Sequence, residues 1–141
     1  MRRLEIPQDI YDHMVRHCIA GLPNEACGFL GGRDGKAERI YPMTNAAASP
    51  VLYRPADREM LQAMNDMDAN DLEPVVIFHS HVASAPYPSP TDIRNAHYPD
   101  SVYLIVSLAD HSNPLSRGYY IHKKSWRDET GDVEEVELVV S

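Results

Sequence analysis

This sequence predicts an α/β fold, a mixed β-sheet flanked by helices. Three observations carry that reading: two stretches with apolar residues at helical spacing, a glycine-punctuated hairpin pattern over residues 25–43, and a β-branched apolar run at 75–78. Strand-like and helix-like segments are interspersed and include at least one hairpin, so the sheet is expected to be mixed.

Residues 7–20 place Ile10, Met14, Val15, Cys18 and Ile19 on one helical face and stop at Gly21, an amphipathic first helix. Residues 25–32 are short, apolar and glycine-terminated, and the turn Arg33-Asp34-Gly35 leads into a second strand at 37–43. After a small-residue loop at 46–50, residues 51–54 read as a short strand, and Pro55 opens a second helix reaching to about Asn70. Met60, Leu61, Met64 and Met67 form its apolar stripe. Val75-Val76-Ile77-Phe78 is too apolar for an exposed strand and reads as a buried central one, ending at His79. Residues 82–90, rich in Ala, Ser and Pro, form a surface loop. Ser89 then caps a short helix through about Ala96, with Pro90 at its first position. Strands are expected at 102–108, 119–122 and 133–140. At 141 residues, with no internal repeat or linker, the span 1–141 reads as a single domain.

Composition narrows the partners. A net charge of −8 argues against nucleic acid, because phosphate binding needs a basic surface to release counterions. The longest apolar stretch, 102–109, is far below the roughly 20 residues that span a bilayer, so no membrane segment is expected. The start carries two arginines but no apolar run after them, which points to a cytoplasmic protein. Cys18 and Cys27 are too few for a disulfide framework and read as reduced, half-buried thiols.

The chemistry concentrates at His79, His81 and Asp92. Side chains two apart on a strand point to the same side, so the two imidazoles converge at the strand end. Asp92 follows after a loop long enough to fold back over them. Two histidines and one carboxylate hold zinc with its fourth tetrahedral position open for water, the mark of a catalytic site. Each piece alone also has a plain reading: a His-x-His pair as a polar patch, Ser89 and Asp92 as a capping box, Glu25 as a salt-bridged strand residue. His13, His17, His97, His111 and His122 lack partner spacing and read as surface or structural.

Taken together, Glu25 in an apolar strand, then His79-Ser80-His81, then seven residues, then Ser89-x-x-Asp92, resembles the JAMM family of metalloproteases, the MPN+ domains. The resemblance runs from Glu25 through the last strands and implies their three-layer, cytidine-deaminase-like fold. It implies that His79, His81 and Asp92 bind one Zn²⁺ with water as fourth ligand. It assigns Glu25 as general base and then general acid, and Ser89 as hydrogen-bond donor to the oxyanion of the tetrahedral intermediate, with Ser80 facing away. JAMM enzymes cut amide bonds after the C-terminal Gly-Gly of ubiquitin or ubiquitin-like proteins. The stretch 42–45, with Ser49-Pro50, Tyr53-Arg54 and Ala26-Cys27-Gly28, resembles the Mec-type branch, which releases cysteine or a similar adduct from a sulfur-carrier protein. Residues from 46 to about 70 would border the groove for that tail. Two alternatives are weighed against the enzyme: a non-catalytic MPN-type scaffold, which would lack ligands that this chain keeps, and a zinc deaminase, which needs a Pro-Cys-x-x-Cys pair that it does not have. A homodimer is left open.

Overall fold

The computed structural model describes residues 2–141. The order is β1 (Arg3–Ile6), α1 (Gln8–Ala20), β2 (Cys27–Arg33), β3 (Lys36–Met43), α2 (Asp57–Ala69), β4 (Glu73–His81), α3 (Pro90–Arg94), β5 (Val102–Ser107), β6 (Leu115–His122) and β7 (Asp132–Val140). The strands follow one another around the sheet as β1-β3-β2-β4-β5-β6-β7. The β4–β5 and β1–β7 pairs are parallel, and β2–β3, β2–β4, β5–β6 and β6–β7 are antiparallel, which makes the sheet mixed as expected.

β1 was not anticipated from the sequence, and it closes the sheet into a barrel. It runs beside β7 along four residue pairs, Arg3–Glu137 to Ile6–Val140, and touches β3 at Glu5–Lys36. Four residues with two charges among them show little strand pattern. What makes the strand is its two waiting edges.

Strand alternation divides the apolar residues between two faces. On one face Val76 and Phe78 of β4 join Leu30 of β2, Leu104 and Val106 of β5 and Val136 of β7 beneath Ile10, Met14 and Cys18 of α1. These three α1 residues recur every four positions, as a helical stripe requires. The other face carries Cys27, Phe29, Ile77, Tyr103 and Ile121 under Ala63 and Met67 of α2, with Ile93 of α3 and Ala96 just after it. Helices on both faces make the three layers. β4, fourth of seven strands, is buried from Val76 to its end, as a central strand must be.

Several expectations need correction. Residues 51–54 form no strand; the loop there makes only a bridge from Asn45 to Pro55. β4 continues past His79 to His81, because β5 pairs with it that far through His81–Ser107. α3 stops at Arg94. The ammonium of Lys123 caps its end, donating to the carbonyls of Ile93, Arg94 and Ala96 at 3.0–3.2 Å. Ile19 and Leu61 lie off the buried stripes, at 44% and 63% exposure. Cys18 and Cys27 are fully buried, not half-buried, since α1 and α2 cover opposite faces of the sheet where they sit.

Candidate metal centre

His79, His81 and Asp92 meet at the C-terminal end of β4. Their ligating atoms all lie within 4.8 Å of one another. Nε2 of His79 is 3.2 Å, and Nε2 of His81 2.9 Å, from the same oxygen, Oδ2, of Asp92. The alternation of β4 explains the pair: Ile77, His79 and His81 share the face that α3 covers, and Ser80 faces the other way, as expected. There Ser80 Oγ accepts from Ala26 N–H at 2.9 Å, and Ser80 N–H donates to Ala26 O at 3.0 Å.

That clasp extends the β2–β4 register. Cys27 pairs with His79, Ala26 meets Ser80, and Glu25, one residue further back, lies close enough for Asp92 and His81 to act on its charge. Glu25 precedes β2 by two residues, so it is not the strand residue expected, but the Ala26–Ser80 clasp beside it brings it to the candidate metal centre. Its carboxylate is 6% exposed, and Oε1 has no hydrogen-bond partner. Burial, with the Asp92 carboxylate adding to it, pushes the Glu25 carboxyl from 4.5 up to about 7, while His81 pulls it down.

The three candidate ligands are held in different ways. His81 Nδ1 lies 2.8 Å from Ala85 O; donating there leaves Nε2 with its lone pair toward the centre. Asp92 sits in a capping box: its N–H donates to Ser89 Oγ at 3.0 Å, and its Oδ2 accepts from Ser89 N–H at 2.9 Å. Burial opposes its charge, but the hydrogen bonds and charges of His79 and His81 and the Ser89 N–H win, holding it well below the usual carboxylate range. His79 is 1% exposed, and burial lowers its pKa. Its Nδ1 has no hydrogen-bond partner. The ring of Tyr53 stacks on it instead, with centroids 4.3 Å apart and planes 17° from parallel.

The donor set suits a borderline cation: two imidazole nitrogens, one carboxylate oxygen, and a buried, unsatisfied carboxylate opposite. All five residues expected from the sequence therefore lie at one place, Ser89 through its reciprocal bonds to Asp92. Periodicity did not reveal Tyr53, or Asn45, whose side chain anchors the loop that carries Tyr53. Of the other histidines, His17 is structural: its Nε2 lies 3.0 Å from Cys27 O and 3.1 Å from Met43 O. Tyr53 also walls a cavity of about 400 Å³, together with Leu52, Pro55, Met60 and Tyr98.

The family described as prokaryotic homologs of the JAB domain matches residues 7–127. The chain belongs to that family. JAB-family relatives include a CysO-cysteine peptidase of Mycobacterium tuberculosis, 43% identical over 120 residues, covering 84% of this chain and 82% of the relative. A desampylase of Pyrococcus furiosus is 32% identical over 138 residues, covering 97% and 90%. The solution structure of a Desulfitobacterium hafniense protein superposes with a TM-score of 0.80 at 38% identity, over 98% of this chain and 94% of that one. As a JAB-type enzyme the chain is a hydrolase of peptide or isopeptide bonds. No helix among the described residues is long and apolar enough to cross a membrane.

Proposed function

We propose that this JAB-family chain is a zinc-dependent peptidase that cleaves the amide bond after the C-terminal Gly-Gly of a ubiquitin-like sulfur carrier and releases cysteine or another C-terminal adduct. The observation that carries the reading is the convergence of His79, His81 and Asp92 within 4.8 Å beside the buried, unpartnered carboxylate of Glu25. The substrate class rests on the relative named for CysO-cysteine. The span 1–141 acts as one catalytic domain, in the cytoplasm, where the buried thiols Cys18 and Cys27 stay reduced.

His79, His81 and Asp92 would hold the zinc. A metal held there would supply Lewis acidity toward the amide carbonyl and lower the pKa of water at the site. Glu25, whose carboxyl is raised by burial to about 7 in the metal-free chain, would take the proton from the attacking water and hand it to the leaving amine. Burial and the Asp92 charge favour its protonated form, which suits a group that must hold a proton between the two steps. Ser89 Oγ already accepts the Asp92 N–H, so its own hydroxyl proton stays free to donate to the oxyanion. A Gly-Gly tail fits a narrow approach because no side chain widens it.

Intact-protein mass spectrometry tests the reading, with the zinc-loaded enzyme and a sulfur carrier bearing a C-terminal cysteine or a lysine-linked adduct. Loss of the adduct directly after Gly-Gly, blocked by a chelator and by Glu25→Gln, is expected. A zinc-loaded enzyme that leaves every such conjugate intact would overturn the proposed substrate and favour the scaffold reading.

A further inference from the structure

Two of the three ligating side chains are oriented by hydrogen bonds, His81 through Ala85 O and Asp92 through Ser89. His79 is not. A metal-binding imidazole ordinarily donates its second N–H to a carbonyl, carboxylate or water, which fixes the ring plane. The Nδ1 of His79 is buried without any such partner, and the face of its ring lies against Tyr53.

Tyr53 sits in no helix or strand. Asn45 holds it from both sides: Nδ2 donates to Leu52 O at 2.9 Å, and Oδ1 accepts from Arg54 N–H at 3.0 Å, the residues before and after Tyr53. The same Nδ2 donates to Glu25 O at 2.9 Å. The other main-chain group of Glu25, its N–H, donates to Ser49 O at 2.9 Å in the same loop. Glu25 lies ahead of β2, outside the ladder, so this loop is what fixes its backbone.

We infer that Tyr53 is the positioning residue for the ligand His79, and that Asn45, by setting Tyr53 and the Glu25 main chain together, aligns ligand and proton shuttle as one unit. The inference rests on the metal-centre reading above. Stacking replaces the missing hydrogen bond: parallel rings in van der Waals contact restrict rotation of the imidazole about its side-chain bonds. Tyr53 makes no hydrogen bond through its hydroxyl among the described residues, so the ring is the working part. Asn45 is irreplaceable by Asp, because a carboxylate keeps the acceptor for Arg54 N–H but puts negative charge against the carbonyls of Glu25 and Leu52.

The test measures zinc affinity by competition with a chromophoric chelator, and kcat and KM separately. Tyr53→Phe should bind zinc like the native chain. Tyr53→Leu should bind it about tenfold to a hundredfold more weakly, the usual effect of losing a partner that orients a ligand. Asn45→Asp should show the same direction in zinc affinity and a larger loss in kcat than in KM, since it also releases the Glu25 backbone. Native affinity in both Tyr53→Leu and Asn45→Asp would overturn the inference. So would equal losses in Tyr53→Phe and Tyr53→Leu, which would place the effect in the hydroxyl. If Tyr53→Leu does not fold, Asn45→Asp against Tyr53→Phe decides alone. A native chain that binds no zinc would sink the metal-centre reading itself, a result distinct from any difference among the variants.

Discussion

Ser89 and Asp92 bond one another reciprocally, N–H of each to side-chain oxygen of the other, and the Asp92 oxygen that accepts from Ser89 is the one facing His79 and His81. The helix cap and the proposed metal ligand are thus the same carboxylate. The cap contributes to stability, and it also stops the carboxylate from rotating away from the two imidazoles.

Asp92→Asn separates the two duties. The amide oxygen can still accept from Ser89 N–H, but the charge-assisted bonds to His79 and His81 are lost, so thermal melts of the metal-free protein should show a loss of about 1–3 kcal/mol. Zinc affinity, measured by chelator competition, should fall far more than that energy accounts for, because the anionic oxygen is gone. Affinity reduced by only a few-fold would leave Asp92 a cap and nothing else.

Ser89→Ala should cost about 1 kcal/mol of stability through the lost cap. Its larger effect should be on the chemical step, a fall in kcat of about 10²-fold with KM little changed, as expected for an oxyanion donor. Steady-state kinetics on a carrier conjugate separate the two; a change confined to KM would assign Ser89 to binding.

Glu25 makes the metal-free protein sensitive to pH. Its folded-state pKa is raised from 4.5 to about 7, so between those values the folded chain keeps a proton that the unfolded chain has lost. Stability through this group is therefore fully present below 4.5 and is lost as pH rises to 7, by roughly 3 kcal/mol at most. Glu25→Gln should match the native chain at pH 4.5 and exceed it at pH 8 in denaturant titrations of the metal-free forms. It should also keep one zinc per chain while turning over no substrate. A variant that is less stable at pH 8 would contradict the buried, unpartnered carboxylate.

Gly28 lies where β2 crosses the ring of Phe78. A Cβ there would come within 2.5 Å of both that ring and Tyr41 O. Neither can retreat, since Phe78 is fully buried and Tyr41 O belongs to the neighbouring strand. Gly28→Ala should destabilise the fold by about 1–3 kcal/mol or more, read as a lower melting temperature. An unchanged melting temperature would mean that β2 and β3 can separate locally.

Much of this protein is legible along the chain because its signals are local. A period of two puts His79 and His81 on one side of β4 in whatever fold contains that strand, and the apolar run before them requires burial. The Ser89-x-x-Asp92 spacing starts a helix by itself. Glu25 was legible only as part of the longer pattern, since nothing nearby distinguishes it from a strand-end acid.

What the chain by itself determined is therefore the central strand, its paired imidazoles, the capped carboxylate and a net charge of −8. Only the tertiary structure decided that Glu25 arrives beside Asp92 and His81, that β1 closes the sheet between β7 and β3, and that Tyr53 lies flat on His79. Those relations depend on strand register and on a loop anchored by Asn45, contacts between residues distant in sequence that no local period encodes.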